Sequence, residues 1–278
     1  GGVLILTDQI KPFPRQLTNA DDVRSPWDAY TSVGGLPESQ RQVIDPTQMD
    51  GVIEVWSPDQ PGLIALEDGD RVLSWTPLTD GNNTVIAGSG STERPTFVPK
   101  AFSGLYPGIR FDGVGNVLTG TNPSPLWEAN LTVVFTAQST TTSGVAFEYT
   151  NDGFVSTADS FAVAAGSGIT NAYIGIPEKG FYLQDGLTTA RVVSMRVTRA
   201  TSTFLFRVNG ADVGATMGAT PPAHTPGGTT TFSFGGSQSG PMFWGGTLGR
   251  IAFFNRVLTP AETLDVERWA ALGIGVAF

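Results

Sequence analysis

From about Val52 onward, apolar and polar residues alternate with a period of two in one segment after another. In Leu131-Thr132-Val133-Val134-Phe135-Thr136-Ala137, the residues Leu131, Val133, Phe135 and Ala137 share one face. Val193, Met195 and Val197 alternate with Ser194, Arg196 and Thr198, and Phe204, Phe206 and Val208 alternate with Leu205 and Arg207. Ile251 and Phe253 continue the theme. This alternation marks antiparallel strands with one buried face. Between the strands stand Asp80-Gly81, Asp112-Gly113, Asp152-Gly153, Asp185-Gly186 and Asn209-Gly210, pairs that supply the positive φ angles of tight turns. Asn209-Gly210 separates residues 204–208 from 212–217 and predicts a hairpin. Many short strands at this spacing predict an all-β fold, a two-sheet antiparallel jelly-roll sandwich. No internal repeat is visible, which argues against a propeller or solenoid.

One segment carries helical signals. Thr259 is suited to the N-cap, Pro260 to the first helical position and Glu262 to the third position of a capping box. Gly273 ends the segment. Leu264, Trp269 and Leu272 are expected to form the apolar stripe that packs on the sandwich, with Asp265 and Glu267 on its solvated face. Residues 1–50 differ from everything after them. Five prolines (Pro12, Pro14, Pro26, Pro37, Pro46) punctuate polar sequence with no sustained period, which predicts an extended N-terminal arm. The arm either lies along its own domain or docks on a neighbouring chain. The expected division is an arm over 1–50 and a sandwich over 51–278.

Composition narrows the chemistry. The chain has 278 residues, 40% hydrophobic and 15% charged. The charged share is below the roughly 25% of average soluble domains, so Thr, Ser, Asn and Gly must fill much of the surface, which suits strands rather than exposed helices. Net charge is −9 with no basic cluster, and a phosphate backbone needs concentrated Lys and Arg; nucleic acid is excluded as a partner. No run approaches the ~18 apolar residues of a membrane span, and the opening Gly1-Gly2-Val3-Leu4-Ile5-Leu6 lacks the basic start of a signal peptide. Membrane insertion is not expected. There is no cysteine and a single histidine, His224, which rules out disulfides, thiolate metal sites and zinc.

Four phrases, taken in order across residues 50–275, resemble the concanavalin A-like lectin/glucanase superfamily, especially its laminin G-like branch. The first is Val72-Leu73-Ser74-Trp75, followed by Asp80-Gly81-Asn82-Asn83 and Arg94-Pro95-Thr96-Phe97. The second is Gly108-Ile109-Arg110-Phe111-Asp112-Gly113, ending in Val117-Leu118. The third is Phe204-Leu205-Phe206-Arg207-Val208-Asn209-Gly210, and the fourth runs from Gly246 through Asn255-Arg256-Val257-Leu258-Thr259 into the terminal helix. The resemblance implies two curved antiparallel sheets, with activities that span glycan binding, adhesion and glycoside hydrolysis.

Catalysis finds little support in the residues. Retaining glycosidases of that fold carry Glu-x-Asp-x-Glu on one strand, so that two carboxylates face each other ~5 Å apart. The nearest string here, Glu262-Thr263-Leu264-Asp265-Val266-Glu267, has a first gap one residue too long and lies in the capped helix. His224, the one candidate base, sits in a proline-rich loop, and neither glycine-rich stretch has nucleophile-elbow spacing. No catalytic residue is assigned. Asp80, Asn82 and Asp152 offer hard oxygen ligands for a structural calcium, and turn capping explains them equally well. Trp127, Phe243 and Trp244 stand beside Pro- and Gly-rich loops as candidate aromatic platforms for a ligand, whereas Trp56 and Trp75 are expected in the core.

The expectation is a non-enzymatic structural or binding protein, a displayed virion component such as a bacteriophage capsid decoration, head fibre or tail protein. It would contact other structural chains through residues 1–50 and surface glycans through its loops, at a virion surface or elsewhere outside the cell. The alternatives are a carbohydrate-binding or adhesion module of a secreted bacterial protein and a glycoside hydrolase with an unrecognised site.

Overall fold

The computed structural model describes residues 10–13, 44–60, 63–66, 70–79, 83–88, 93–122, 130–141, 144–150, 161–165, 170–174, 180–183, 187–198, 203–213, 215–217, 230–237 and 242–275. Their strands form two antiparallel sheets. The larger has eleven strands in the spatial order β1 (Ile10–Phe13), β3 (Leu63–Leu66), β4 (Val72–Trp75), β5 (Val85–Ala87), β8 (Leu118–Asn122), β18 (Thr230–Phe234), β10 (Val145–Thr150), β11 (Phe161–Ala165), β12 (Thr170–Ile174), β13 (Gly180–Leu183) and β17 (Ala215–Met217). The smaller has eight: β16 (Ala211–Val213), β15 (Thr203–Val208), β14 (Arg191–Thr198), β9 (Asn130–Ser139), β19 (Gly245–Phe254), β7 (Tyr106–Asp112) and β6 (Thr96–Phe102), with β2 (Val52–Trp56) paired to β19. A helix, α1 (Pro260–Leu272), follows β19. The expected sandwich and the single C-terminal helix are both present.

The inner faces meet over an aromatic core. Trp56 and Trp75 are fully buried, as expected, with ring centroids 5.2 Å apart in an edge-on arrangement. Phe234 lies 5.1 Å from Trp56 and 4.6 Å from Phe232, and Phe147 lies 5.1 Å from Phe135 across the two sheets. Such edge-to-face packing suits the ring quadrupoles as well as the burial. The alternation read from β9 and β14 is observed, because Leu131, Val133, Phe135, Ala137, Val193, Met195 and Val197 all enter this core.

Their neighbours are buried too, and α1 is the reason. Val134 and Val192, on the opposite faces of β9 and β14, join Ala252, Phe254, Val266, Trp269 and Ala270 in a second apolar cluster beneath the helix. The capping box forms as expected: the Glu262 amide donates to Thr259 Oγ1, and the Thr259 amide donates to Glu262 Oε2. The expected stripe is rotated. Trp269 faces the sheet, but Leu264 and Leu272 are only half-buried, and Thr263, Val266, Glu267 and Ala270 take the buried positions. Glu267 is therefore not on a solvated face. It is turned toward the polar positions of β14 and β15. Gly273 ends the helix in right-handed geometry, φ −71°; its value there is space, since a Cβ would come within 3.0 Å of Arg250 Cδ.

The Asn209-Gly210 hairpin is present between β15 and β16, with φ of 48° and 79°. The described parts of residues 1–50 lie on this chain's own sandwich. Strand β1 pairs with β3, Ile10 opposite Leu66. Further along, Asp45 caps a short turn, Met49 is buried with half-buried Ile44 against the helix-side cluster, and Arg256 Nε donates to the Asp50 carbonyl.

Candidate functional site

The two sheets have contrasting outer faces: among the described residues a helix lies on one and none lies on the other. On the larger sheet, Val85, Leu118, Phe232, Phe234, Phe147, Tyr149 and Val163 point into the core, so the residues between them project outward. Strand register aligns these in one row: Ser74 opposite Ile86, Ile86 opposite Thr119, Thr119 opposite Ser233, Ser233 opposite Glu148 and Glu148 opposite Ala162. Three strand spacings separate Ile86 from Glu148, about 14 Å. The row is open only in its middle: Ile86 is 56% exposed and Thr119 half-buried, whereas Ser233 and Glu148 are fully buried and Ser74 at the far end is buried as well. At the surface the row offers the Thr119 hydroxyl and the exposed aliphatic side chain of Ile86.

At the end of the sandwich beside β18 and β10, two adjacent candidates separate. Trp244 is fully buried, its ring 6.0 Å from that of Phe111, and its amide donates to the Gly235 carbonyl at 2.9 Å. As a platform for a ligand it is displaced by its own packing: burying the indole gives far more than leaving it at a loop. Phe243, next along an extended segment, is half-buried and lies across Gly236, where a Cβ would come within 3.1 Å of the ring. Met242, which precedes Phe243, is exposed, and so is Val114 in the turn after β7. Asp112 fixes the adjoining turn by accepting from the amides of Val114, Gly115 and Asn116 at 2.9–3.2 Å. Burial pushes its carboxyl up, but those three donors outweigh burial and hold it below the usual range. Ser233 Oγ donates to the Gly236 carbonyl at 2.7 Å, linking this rim to the row.

Trp127, Asp80, Asn82, Asp152 and His224 lie outside the described residues. Among the described residues no group of three His, Cys, Asp or Glu side chains is placed to hold a metal ion. The row on the larger sheet was not foreseen. Its one sequence signal is Glu148, a carboxylate inside the apolar run Val145-Ala146-Phe147-Glu148-Tyr149, where a charged residue needs a special reason.

The outer face of the smaller sheet is occupied by α1 and locked by charge. Glu267 accepts from Ser194 Oγ at 2.5 Å and from Arg207 Nε at 2.9 Å, and Arg207 also pairs with Asp212 at 3.0 Å and donates to the Gly210 carbonyl. Arg250 donates to the Trp269 carbonyl at 2.7 Å and to Asp59 Oδ2 at 2.6 Å, with its guanidinium 5.3 Å from the Trp269 ring centroid. Burial pushes the Asp59 carboxyl up, but the Arg250 charge and hydrogen bond outweigh it and leave it lowered. Arg256 grips Glu262 through two nitrogens at 3.0 and 2.7 Å, holding the Glu262 carboxyl at about 2. These groups serve the helix.

No protein-family profile matches the chain, and no curated protein matches it. Solved structures do. A Trypanosoma rangeli sialidase superposes with a TM-score of 0.56 at 14% identity over 82% of this chain and 34% of that one. The receptor-binding domain of botulinum neurotoxin D gives 0.55 at 10% identity over 81% of this chain and 54% of that one. The binding domain of botulinum neurotoxin DC in complex with SialylT gives 0.54 at 10% identity, covering 81% and 52%. The chain thus spans about a third of the sialidase and about half of each toxin domain. The likeness is one of fold, a β-sandwich.

Proposed function

We propose that this chain is a non-enzymatic glycan-binding sandwich displayed on a larger assembly, and that the outer face of the larger sheet is its binding surface. One observation carries the reading: within the register row Ser74–Ile86–Thr119–Ser233–Glu148, the half-buried Thr119 hydroxyl stands beside the exposed Ile86 on a face that no helix among the described residues covers. Sugars present hydroxyls along their edges and C–H groups on their faces, so a surface of a few polar groups among apolar ones complements them. The toxin neighbours are receptor-binding domains, one solved with a sialyl ligand, and this supports recognition over chemistry. A single carboxylate in the row also supports it, because retaining hydrolysis uses two about 5 Å apart.

A virion surface is the setting we propose, from the absent cysteines and the proline-rich residues 1–50. A secreted adhesion module is the second reading, favoured by the pairing of β1 with β3 and the burial of Met49 on this chain's own core. Limited proteolysis of the isolated protein separates the two: protection of residues 1–50 in a monomer removes the case for an assembly arm.

The binding reading is tested on a glycan array with the wild type, Ile86→Asp and Phe243→Ala. The wild type should bind at least one glycan class and Ile86→Asp should lose it. Release of sugar from β-glucan, alginate or agarose would overturn the non-enzymatic part, and binding that Ile86→Asp leaves intact would overturn the choice of face.

A further inference from the structure

We propose that Asn209 is a deamidation site, held closed while the β14–β15 ladder is intact and converted once that ladder opens. Asn209-Gly210 is the one Asn-Gly pair in the sequence. It turns the chain from β15 into β16 with positive φ at both residues, as a two-residue hairpin turn requires. Glycine has no Cβ to shield the nitrogen that follows the asparagine. That nitrogen gives up its proton and bonds to Asn209 Cγ, the Cγ–Nδ2 bond breaks, and ammonia leaves with the proton. Water then opens the five-membered ring at either carbonyl. Opening at Cγ leaves aspartate; opening at the main-chain carbon of residue 209 leaves isoaspartate, with the chain running through Cγ. Water is the only co-reactant, and nothing is oxidised or reduced.

The fold withholds the first step. The Val192 amide donates to Asn209 Oδ1 at 2.9 Å, while the Asn209 amide donates to the Val192 carbonyl at 2.9 Å. The carboxamide thus stands in for a main-chain carbonyl and extends the ladder one rung beyond Val193 opposite Val208. Val192 is buried in the apolar cluster beneath α1. Swinging Asn209 Cγ over the Gly210 nitrogen would leave that buried amide without its acceptor, an unfavourable state. The turn is clamped from its other side as well, because Arg207 Nη2 donates to the Gly210 carbonyl and Nη1 pairs with Asp212 at 3.0 Å.

Conversion to isoaspartate is one-way for the fold. Aspartate keeps an oxygen for the Val192 amide. Isoaspartate instead adds a carbon to the main chain inside a two-residue turn, which moves β16 out of its register, Val208 opposite Ala211 and Arg207 opposite Asp212. Arg207 also holds Glu267 beneath α1 at 2.9 Å, so a change at the turn reaches the groups that anchor the helix.

The test ages the whole chain in mildly alkaline buffer, folded and in concentrated urea, and follows each asparagine by peptide mass. In urea Asn209 should convert fastest, to aspartate and isoaspartate together. In the folded chain it should convert about tenfold or more slowly, the size expected when a buried amide must lose its acceptor first. Below the main unfolding transition its rate should rise with urea in step with hydrogen exchange of the Val192 amide. Asn209→Asp should fold with that amide protected, whereas chains purified as isoaspartate should not regain the protection when urea is removed. Equal rates in the folded and unfolded chain, or exchange at Val192 with no matching conversion, overturns the gate. Another asparagine converting faster in urea overturns the site. Lost protection in Asn209→Asp, or protection regained by the isoaspartate chain, overturns the one-way step.

Discussion

The two outer faces of the sandwich begin from the same kind of strand and end in opposite states. On the smaller sheet, Ser194, Arg196 and Arg250 occupy the polar positions of β14 and β19, and all three are buried beneath α1. On the larger sheet, Ser74, Ile86, Thr119 and Ser233 occupy the matching positions without ion pairs among them. A helix laid on a polar strand face must satisfy every group it covers, since an orphaned buried charge costs several kcal/mol. The sandwich meets most of that demand with Glu267, Asp59 and carbonyls of α1 and its flanks, and leaves Arg196 Nε, Arg250 Nε and Glu267 Oε2 without a partner. On the other face no helix among the described residues covers the strands, and Ile86 and Thr119 keep part of their surface. Charge marks the face that the helix covers.

The largest effect should come from opening the lock under the helix. Glu267→Ala removes the acceptor of both Ser194 and Arg207 and leaves a guanidinium short of its partner. A loss of about 3–5 kcal/mol is expected, read from urea unfolding, and glycan binding should survive wherever the protein is still folded. Arg250→Ala should cost about 3 kcal/mol, because Asp59 and the Trp269 carbonyl both lose their donor. A loss below about 1 kcal/mol in either variant would mean that the helix is held by its apolar cluster alone.

Much of this contrast was legible beforehand, but not its sense. The strands of β9, β14 and β15, the Asn209-Gly210 turn and the Thr259 capping box follow local rules of period, turn chemistry and capping, and each is where the sequence puts it. The helix stripe was misread because hydrophobicity alone selects Leu264 and Leu272, whereas the sheet beneath offers Ser194 and the neighbouring Arg207 and so draws Glu267 inward. Trp244 was misread for a related reason: a Gly-rich neighbourhood suggests a loop, yet alternation along 243–244 sends one ring out and the other in. The row on the larger sheet depends on register across strands drawn from residues 72 to 234, and no single segment encodes it.

Acid should distinguish the faces at a smaller scale. Glu262, lowered from 4.5 to about 2 by Arg256 and the Thr259 amide, and Asp59, lowered by Arg250 against the cost of burial, both belong to the helix side. A carboxyl depressed in the folded state contributes stability above its unfolded value and loses it as pH falls toward its folded one. Stability should therefore decline as pH falls from about 4.5 toward 2, with Glu262 supplying about 1 kcal/mol of the change after solvent screening of a half-exposed pair. In Glu262→Gln that part of the slope should vanish. Hydrogen exchange during the same titration should show α1 opening before the strands of the larger sheet; simultaneous opening would dissolve the contrast between faces.

The smallest effect on stability should fall on the row itself, and there it is most informative. Ile86 is 56% exposed in the outward direction of β5 and makes no claim on the core. Replacing an exposed side chain away from caps, ion pairs and strained backbone usually changes stability by less than about 0.5 kcal/mol, so Ile86→Asp should unfold with the wild type in urea. If its stability falls by more than about 2 kcal/mol, Ile86 is packing against something, and the open face described above is part of the sandwich's own structure. If stability holds while glycan binding is lost, the aliphatic side chain is kept at the surface for its ligand, because nothing inside the protein requires it there.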